Sequence, residues 1–102
     1  MSDTVNAFFA ELPSRVDAGK TAGMNNSYVF DIDGAGTWTV KVADGQVTVD
    51  EGDTGGECMI STSSEVFEKV ISGEQNPTAA YMSGKLKIKG DMGAAMKLQK
   101  IF

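Results

Sequence analysis

Few side chains in this 102-residue chain could do chemistry, and each has a competing structural use. Asp31 and Asp33 stand two apart, and paired carboxylates can divide into general acid and general base when burial splits their pKa values. Their segment alternates as a strand with both aspartates on the polar side, which reads as surface charge. Asp50, Glu51, Asp53 and Glu57 could hold a hard cation, but their spacing is not that of a calcium loop, and a solvated turn accounts for them. Cys58 has no His and no neighbouring cation in sequence to lower its pKa, so it reads as a buried structural thiol. Gly34-Ala35-Gly36 lacks the third glycine of a dinucleotide fingerprint and leads into a strand, and no Gly-Lys-Ser/Thr follows any glycine-rich stretch.

Two further groups carry more than one reading. Lys85, Lys87 and Lys89 alternate with Leu86 and Ile88, which suits a solvated strand face or a protected sheet edge. Together with Lys97 and Lys100 they could also form a basic surface for phospholipid headgroups or an acyl-CoA phosphate. Five internal methionines (24, 59, 82, 92 and 96) are many for this length. The thioether side chain is flexible and polarisable, so it serves as core filler or as the lining of a surface that accepts varied shapes.

The elements that position these residues follow from periodicity and punctuation. Val5, Phe8, Phe9, Leu12 and Val16 fall on one helical face, and Pro13 predicts a break followed by a short second turn ending near Gly19. Tyr28, Phe30 and Ile32, then Trp38, Val40 and Val42, then Val47 and Val49 alternate with polar residues. Asp44-Gly45 is a strong hairpin signal, and a fourth strand spans 58–62. Each strand has one apolar and one polar face, as in a sheet wetted on one side. Thr62-Ser63-Ser64-Glu65 predicts a capped helix with Val66, Phe67, Val70 and Ile71 inward and a stop at Gly73. Asn76-Pro77 starts another helix that ends at Gly84. A strand at 85–89 and a last helix follow, the helix turning Met92, Ala95, Met96, Leu98 and Phe102 inward. The order helix, four strands, two helices, strand, helix predicts a two-layer α+β domain over residues 1–102.

Composition narrows the function classes. Nine Lys+Arg against fourteen Asp+Glu leave a net charge of −5, the wrong sign for a global binder of nucleic acid. Residues 1–77 hold four basic and thirteen acidic side chains, whereas residues 78–102 hold five lysines and one aspartate. The absence of His excludes imidazole acid–base and Ser-His-Asp chemistry, and one Cys cannot make an internal disulfide. No apolar run is long enough to span a bilayer, and the N-terminus lacks a signal-like basic and apolar start. The expectation is a cytoplasmic, non-enzymatic protein with no metal or cofactor, monomeric by a small margin.

The stretch from Asn76 to Leu98, NPTAAYMSGKLKIKGDMGAAMKL, resembles the lipid-binding domain of the sterol carrier protein type-2 family, and Tyr28–Ile32, Gly36–Val40 and Cys58–Thr62 fit that family's strands in order. The resemblance implies a five-stranded, mostly antiparallel sheet with helices over one face, enclosing an apolar tunnel for a sterol, fatty acid, fatty acyl-CoA or phospholipid. It implies a cavity wall of Phe30, Ile32, Trp38, Val40, Ile60, Phe67, Ile71, Tyr81, Met82, Leu86, Ile88, Met92 and Met96, with Phe8, Phe9 and Leu12 closing one side. Lys85, Lys87, Lys89, Lys97 and Lys100 are then candidates for headgroup or transient membrane contact. The alternative is the same fold with a filled core, serving a lipid-metabolising enzyme as an accessory module.

Overall fold

The computed structural model describes residues 3–15, 19 and 23–97; Val16, Leu98, Lys100 and Phe102 lie outside the described residues. The first helix, α1 (Asp3–Arg15), runs through Pro13 without the expected break. Proline in the last turn forfeits one hydrogen bond at a cost of about 3 kcal/mol. Docking Val5, Phe8, Phe9 and Leu12 offsets that loss, at roughly 1.5–3 kcal/mol for each buried side chain.

Five strands follow the predicted alternation: β1 (Asn25–Asp33), β2 (Gly36–Ala43), β3 (Gln46–Glu51), β4 (Cys58–Ser63) and β5 (Leu86–Gly90). They form one sheet in the order β3-β2-β1-β4-β5. β1 pairs antiparallel with β2, β2 with β3 and β4 with β5, while β1 and β4 run parallel. The β2–β3 turn places Asp44 at φ 52° and Gly45 at φ 79°, the pair of left-handed conformations that the two-residue hairpin requires.

Parallel pairing of β1 with β4 needs a crossover, and residues 52–57 supply it across the sheet's outer face. The Thr39 hydroxyl donates to the Gly52 carbonyl at 2.6 Å and accepts from the Thr54 amide at 3.0 Å. Val29 and Thr39, on the polar side of their strands, are consequently buried. The outer face is therefore wet at Asp31 and Asp33 but strapped at its centre, and the acid-rich loop is that strap.

The remaining helices are α2 (Ser64–Ser72), α3 (Pro77–Met82) and α4 (Met92–Lys97). The α2 cap sits one residue later than predicted: Ser63 accepts from the Val66 amide, and Glu65 is not the reciprocal partner. Thr62 is still part of β4, and its hydroxyl donates to the Lys85 carbonyl at 2.9 Å. Gly73 ends α2 at φ 87°, and Asn76 caps α3, its Oδ1 accepting from the amides of Thr78 and Ala79.

The helical layer fills the two halves of the sheet differently. Over β1 to β3, α1 delivers aromatic rings: Phe9 stacks on Trp38 at 4.5 Å and on Phe67 at 5.4 Å, and Phe8 meets Phe67 edge-on at 5.5 Å. Over β4 and β5, α3 and α4 approach with small side chains, Ala80, Ala94 and Ala95. Rings fill space and alanines leave it.

Candidate functional site

The floor of the space under α3 and α4 is one cross-strand row. Phe30 of β1 pairs with Ile60 of β4, and Ile60 pairs with Ile88 of β5, so three apolar side chains lie abreast on the inner face. Leu86 lies two residues along from Ile88 on the same face. The walls come from Phe67 and Val70 of α2, Pro77, Thr78, Tyr81 and Met82 of α3, and Met92, Ala95 and Met96 of α4. They bound a cavity of about 330 Å³ that opens to solvent. Phe30 and Phe67, 5.9 Å apart, separate it from the aromatic core.

Of the sixteen residues expected on the wall, nine line this cavity: Phe30, Ile60, Phe67, Tyr81, Met82, Leu86, Ile88, Met92 and Met96. Phe8, Phe9, Leu12, Ile32, Trp38 and Val40 belong instead to the packed core, and Ile71 lies against it. Periodicity assigns all of these to one interior and cannot tell a filled part from an empty one. Val70, Pro77, Thr78 and Ala95 line the space unanticipated. Val70 and Ala95 carry a signal, since both fall on predicted inward faces, whereas Thr78 carries none. Four large apolar side chains are exposed around this cavity: Tyr81, Met82, Met92 and Met96.

The inward facing of α4 needs correction. Ala94 and Ala95 are its buried residues, while Met92 and Met96 stand at the rim, because a six-residue helix over an unfilled space has nothing beneath its longer side chains. Lys87 and Lys89 sit opposite Ser61 and Met59 and point to the outer face of β5, away from the cavity. Lys85 is exposed between α3 and β5, and Lys97 follows Met96 at the end of α4.

Polar bonds pin the start of α4 to the sheet. The Tyr28 hydroxyl donates to the Ala94 carbonyl, the Cys58 thiol donates to the Asp91 carbonyl at 3.2 Å, and the Asp91 amide donates to the Glu57 carbonyl at 3.0 Å. Asp91 Oδ1 then accepts from the amides of Gly93 and Ala94, capping the helix. Burial first, and then the Cys58, Glu57 and Asp91 charges, push Tyr28 far above the usual phenol range. Burial first, with Asp91 and Glu57, also raises the Cys58 thiol, which makes a thiolate there unfavourable. Gly90, at φ 107°, lets β5 close against β4, since a Cβ there would collide with the Glu57 carbonyl.

Among the described residues, Tyr81 carries the only ionisable group on the cavity wall. A wall of this kind can exclude water and hold an apolar molecule, and it holds no acid–base pair. Among the described residues, no group of three or more His, Cys, Asp or Glu could hold a metal ion. Nor is any helix among them long and apolar enough to cross a membrane.

Comparison with known proteins places this geometry. The family described as SCP-2 sterol transfer family matches residues 5–102. Hydroxysteroid dehydrogenase-like protein 2 of Xenopus tropicalis is 36% identical over 104 residues, which cover 98% of this chain and 25% of that protein. The chain thus spans about a quarter of the length of that relative. The solution structure of the sterol carrier protein domain 2 of Helicoverpa armigera is similar with a TM-score of 0.73 and 29% identity, covering 93% of this chain and 80% of its own. The structure of palmitated SCP2L2 from Aedes aegypti is similar with a TM-score of 0.72 and 20% identity, covering 99% of this chain and 94% of its own.

Proposed function

The chain belongs to the SCP-2 sterol transfer family, and from that premise we propose that it is a non-catalytic carrier that shields the apolar part of one lipid in the cavity beneath α3 and α4. The observation that carries this is an open, solvent-reachable space of about 330 Å³ whose wall, among the described residues, is apolar apart from Thr78 and the Tyr81 hydroxyl. At about 30 Å³ for each water-sized unit, the space takes roughly ten or eleven carbons of a chain. Burying that many methylenes is worth on the order of 8 kcal/mol gross, before the cost of ordering ligand and lid. Among the described residues no cation lines the cavity, so the polar head of a longer lipid stays at the mouth. The palmitated state of the Aedes aegypti protein supports a single acyl chain as the cargo class.

The decisive experiment titrates delipidated protein with a fluorescent fatty acid and follows thermal unfolding across a panel of fatty acids, acyl-CoAs and sterols. Stoichiometric binding with a raised melting temperature is expected; no ligand that binds or stabilises would end the carrier reading. Trp38 is a poor reporter, because it stacks on Phe9 on the far side of Phe30. The reading extends to anionic bilayers, which the lysines at 85, 87, 89 and 97 would meet at about 1 kcal/mol each. Co-sedimentation with phosphatidylglycerol but not phosphatidylcholine vesicles, lost at high salt, is the expected behaviour.

A second reading rests on the Xenopus tropicalis relative, in which the matching region is a quarter of a longer dehydrogenase-like protein. The domain would then present cargo to an attached or partner enzyme. The cavity weighs against the filled-core form of that reading. Pull-down of one enzyme at fixed stoichiometry, independent of bound lipid, would favour it.

A further inference from the structure

The three methionines around the cavity differ sharply from the two elsewhere among the described residues. Met82 is 81% exposed, Met96 74% and Met92 44%, whereas Met24 is 2% exposed and Met59 is half-buried. Met82 comes from α3, and Met92 and Met96 from α4, so two separate helices bring thioethers to the same cavity. Leucine would supply equal apolar volume there and differs from methionine chiefly in lacking the sulfur. Cys58, the chain's single thiol, is buried and its pKa is raised, so it does not compete as the first site of oxidation.

We propose that Met82, Met92 and Met96 are sites of two-electron oxidation by hydroperoxides, and that their sulfoxides lower the cavity's affinity for an apolar chain. The thioether sulfur attacks one peroxide oxygen, the O–O bond breaks, and the sulfur–oxygen bond forms. Proton transfer releases the other oxygen as water from hydrogen peroxide, or as an alcohol from an organic hydroperoxide. Sulfur is oxidised by two electrons and the peroxide is reduced by two. Each event replaces a flexible apolar group with a strong dipole. A ligand passing or lining that rim then meets polar groups that it cannot satisfy, and the cavity stays open to water. Reversal belongs to the methionine sulfoxide reductase class of reaction, which makes the change a switch rather than damage.

The consequence for affinity rests on the lipid-binding reading, whereas the order of reactivity does not. The test treats delipidated protein with hydrogen peroxide, maps sulfoxides by peptide mass spectrometry, and measures binding of a fluorescent fatty acid before and after. Expected are addition of one oxygen at residues 82 and 96 first, then 92, with Met24 slowest, and binding about tenfold weaker or more. Methionine sulfoxide reductases should restore the starting affinity. The combined variant Met82→Leu, Met92→Leu and Met96→Leu, compared only with itself before and after peroxide, should show no change. Sulfoxides at all three positions without loss of affinity would overturn the proposal, as would an equal loss in the leucine variant or preferential oxidation of Met24. Untreated protein that binds no acyl probe would overturn the carrier reading and the affinity consequence together, and the untreated arm separates that failure from the others.

Discussion

Enlarging Ala95 should stabilise the protein, which is the opposite of what enlarging a core residue ordinarily does. Ala95 is 8% exposed and lines the cavity from α4. A void of about 330 Å³, at about 24 cal/mol per Å³, carries a ceiling of on the order of 8 kcal/mol of forgone stability. Water entering through the mouth makes the realised figure smaller. Ala95→Leu adds three carbons to that space, worth about 2 kcal/mol at about 0.8 kcal/mol each, and the helix accepts leucine almost as well as alanine. For a domain of this size the gain corresponds to a melting temperature higher by roughly 10 °C. Ala94, next along the same helix, is the control: it is buried, lies off the cavity, and its carbonyl accepts the Tyr28 hydroxyl. Ala94→Leu forces three carbons into filled space and should cost about 1–3 kcal/mol. The assay is urea and thermal unfolding of delipidated protein, paired with fatty-acid titration, in which Ala95→Leu should weaken binding by about fiftyfold. If both variants destabilise alike, the space under α4 is plugged by side chains in solution and the reasoning from the cavity fails.

Three other outcomes are expected. Leu86→Lys puts an ammonium on the cavity floor; binding should be lost near neutral pH and partly recover as pH approaches 10, where the lysine sheds its charge, as followed by fluorescence titration. The raised pKa values of Tyr28 and Cys58 mean that the folded state holds protons that the unfolded chain gives up near 10.0 and 9.0. Their contribution is therefore complete below those values and falls as pH rises through them, and Tyr28→Phe should flatten the alkaline loss seen in urea titrations while lowering stability near pH 7 by about 1 kcal/mol. Gly90→Ala should destabilise by about 2 kcal/mol or more, measured by chemical denaturation, since the added carbon meets the Glu57 carbonyl and φ stays positive. A neutral result there would mean that β5 can shift away from β4 freely.

Much of the fold was legible because two-residue alternation and turn chemistry are local. The Asp44-Gly45 hairpin, the Gly73 stop and the Asn76-Pro77 start need no tertiary information. Pro13 misled because its penalty is local while the docking of Phe8, Phe9 and Leu12 that offsets it is not. The α2 cap slipped by one residue because Thr62 finds its partner in the Lys85 carbonyl just before β5, 23 positions away. The parallel run of β1 beside β4 likewise depends on a crossover that leaves no periodic trace. For the candidate site, the apolar inventory was readable and its division was not. Phe9, Trp38 and Val40 obey the same inward pattern as Ile60, Leu86 and Ile88, and only the size of the facing helical residues, rings on α1 and alanines on α3 and α4, separates packed from hollow. Met96 counts as interior by helical period and Met82 by the family resemblance, and the structure exposes both because the helices that carry them rest on empty space.

The ring pair Phe30 and Phe67 has a consequence for the proposed carrier, which has to survive being unloaded. A hollow running through the middle of so short a chain would leave both flanks unsupported whenever cargo departed. Here the ring pair bounds the hollow on one side, so the ring-filled flank has packing of its own, Phe9 on Trp38 and Phe8 on Phe67, to which no cargo contributes. On the carrier reading proposed above, loading and emptying fall chiefly on α3, α4 and β5, which bound the cavity on the side away from that ring pair.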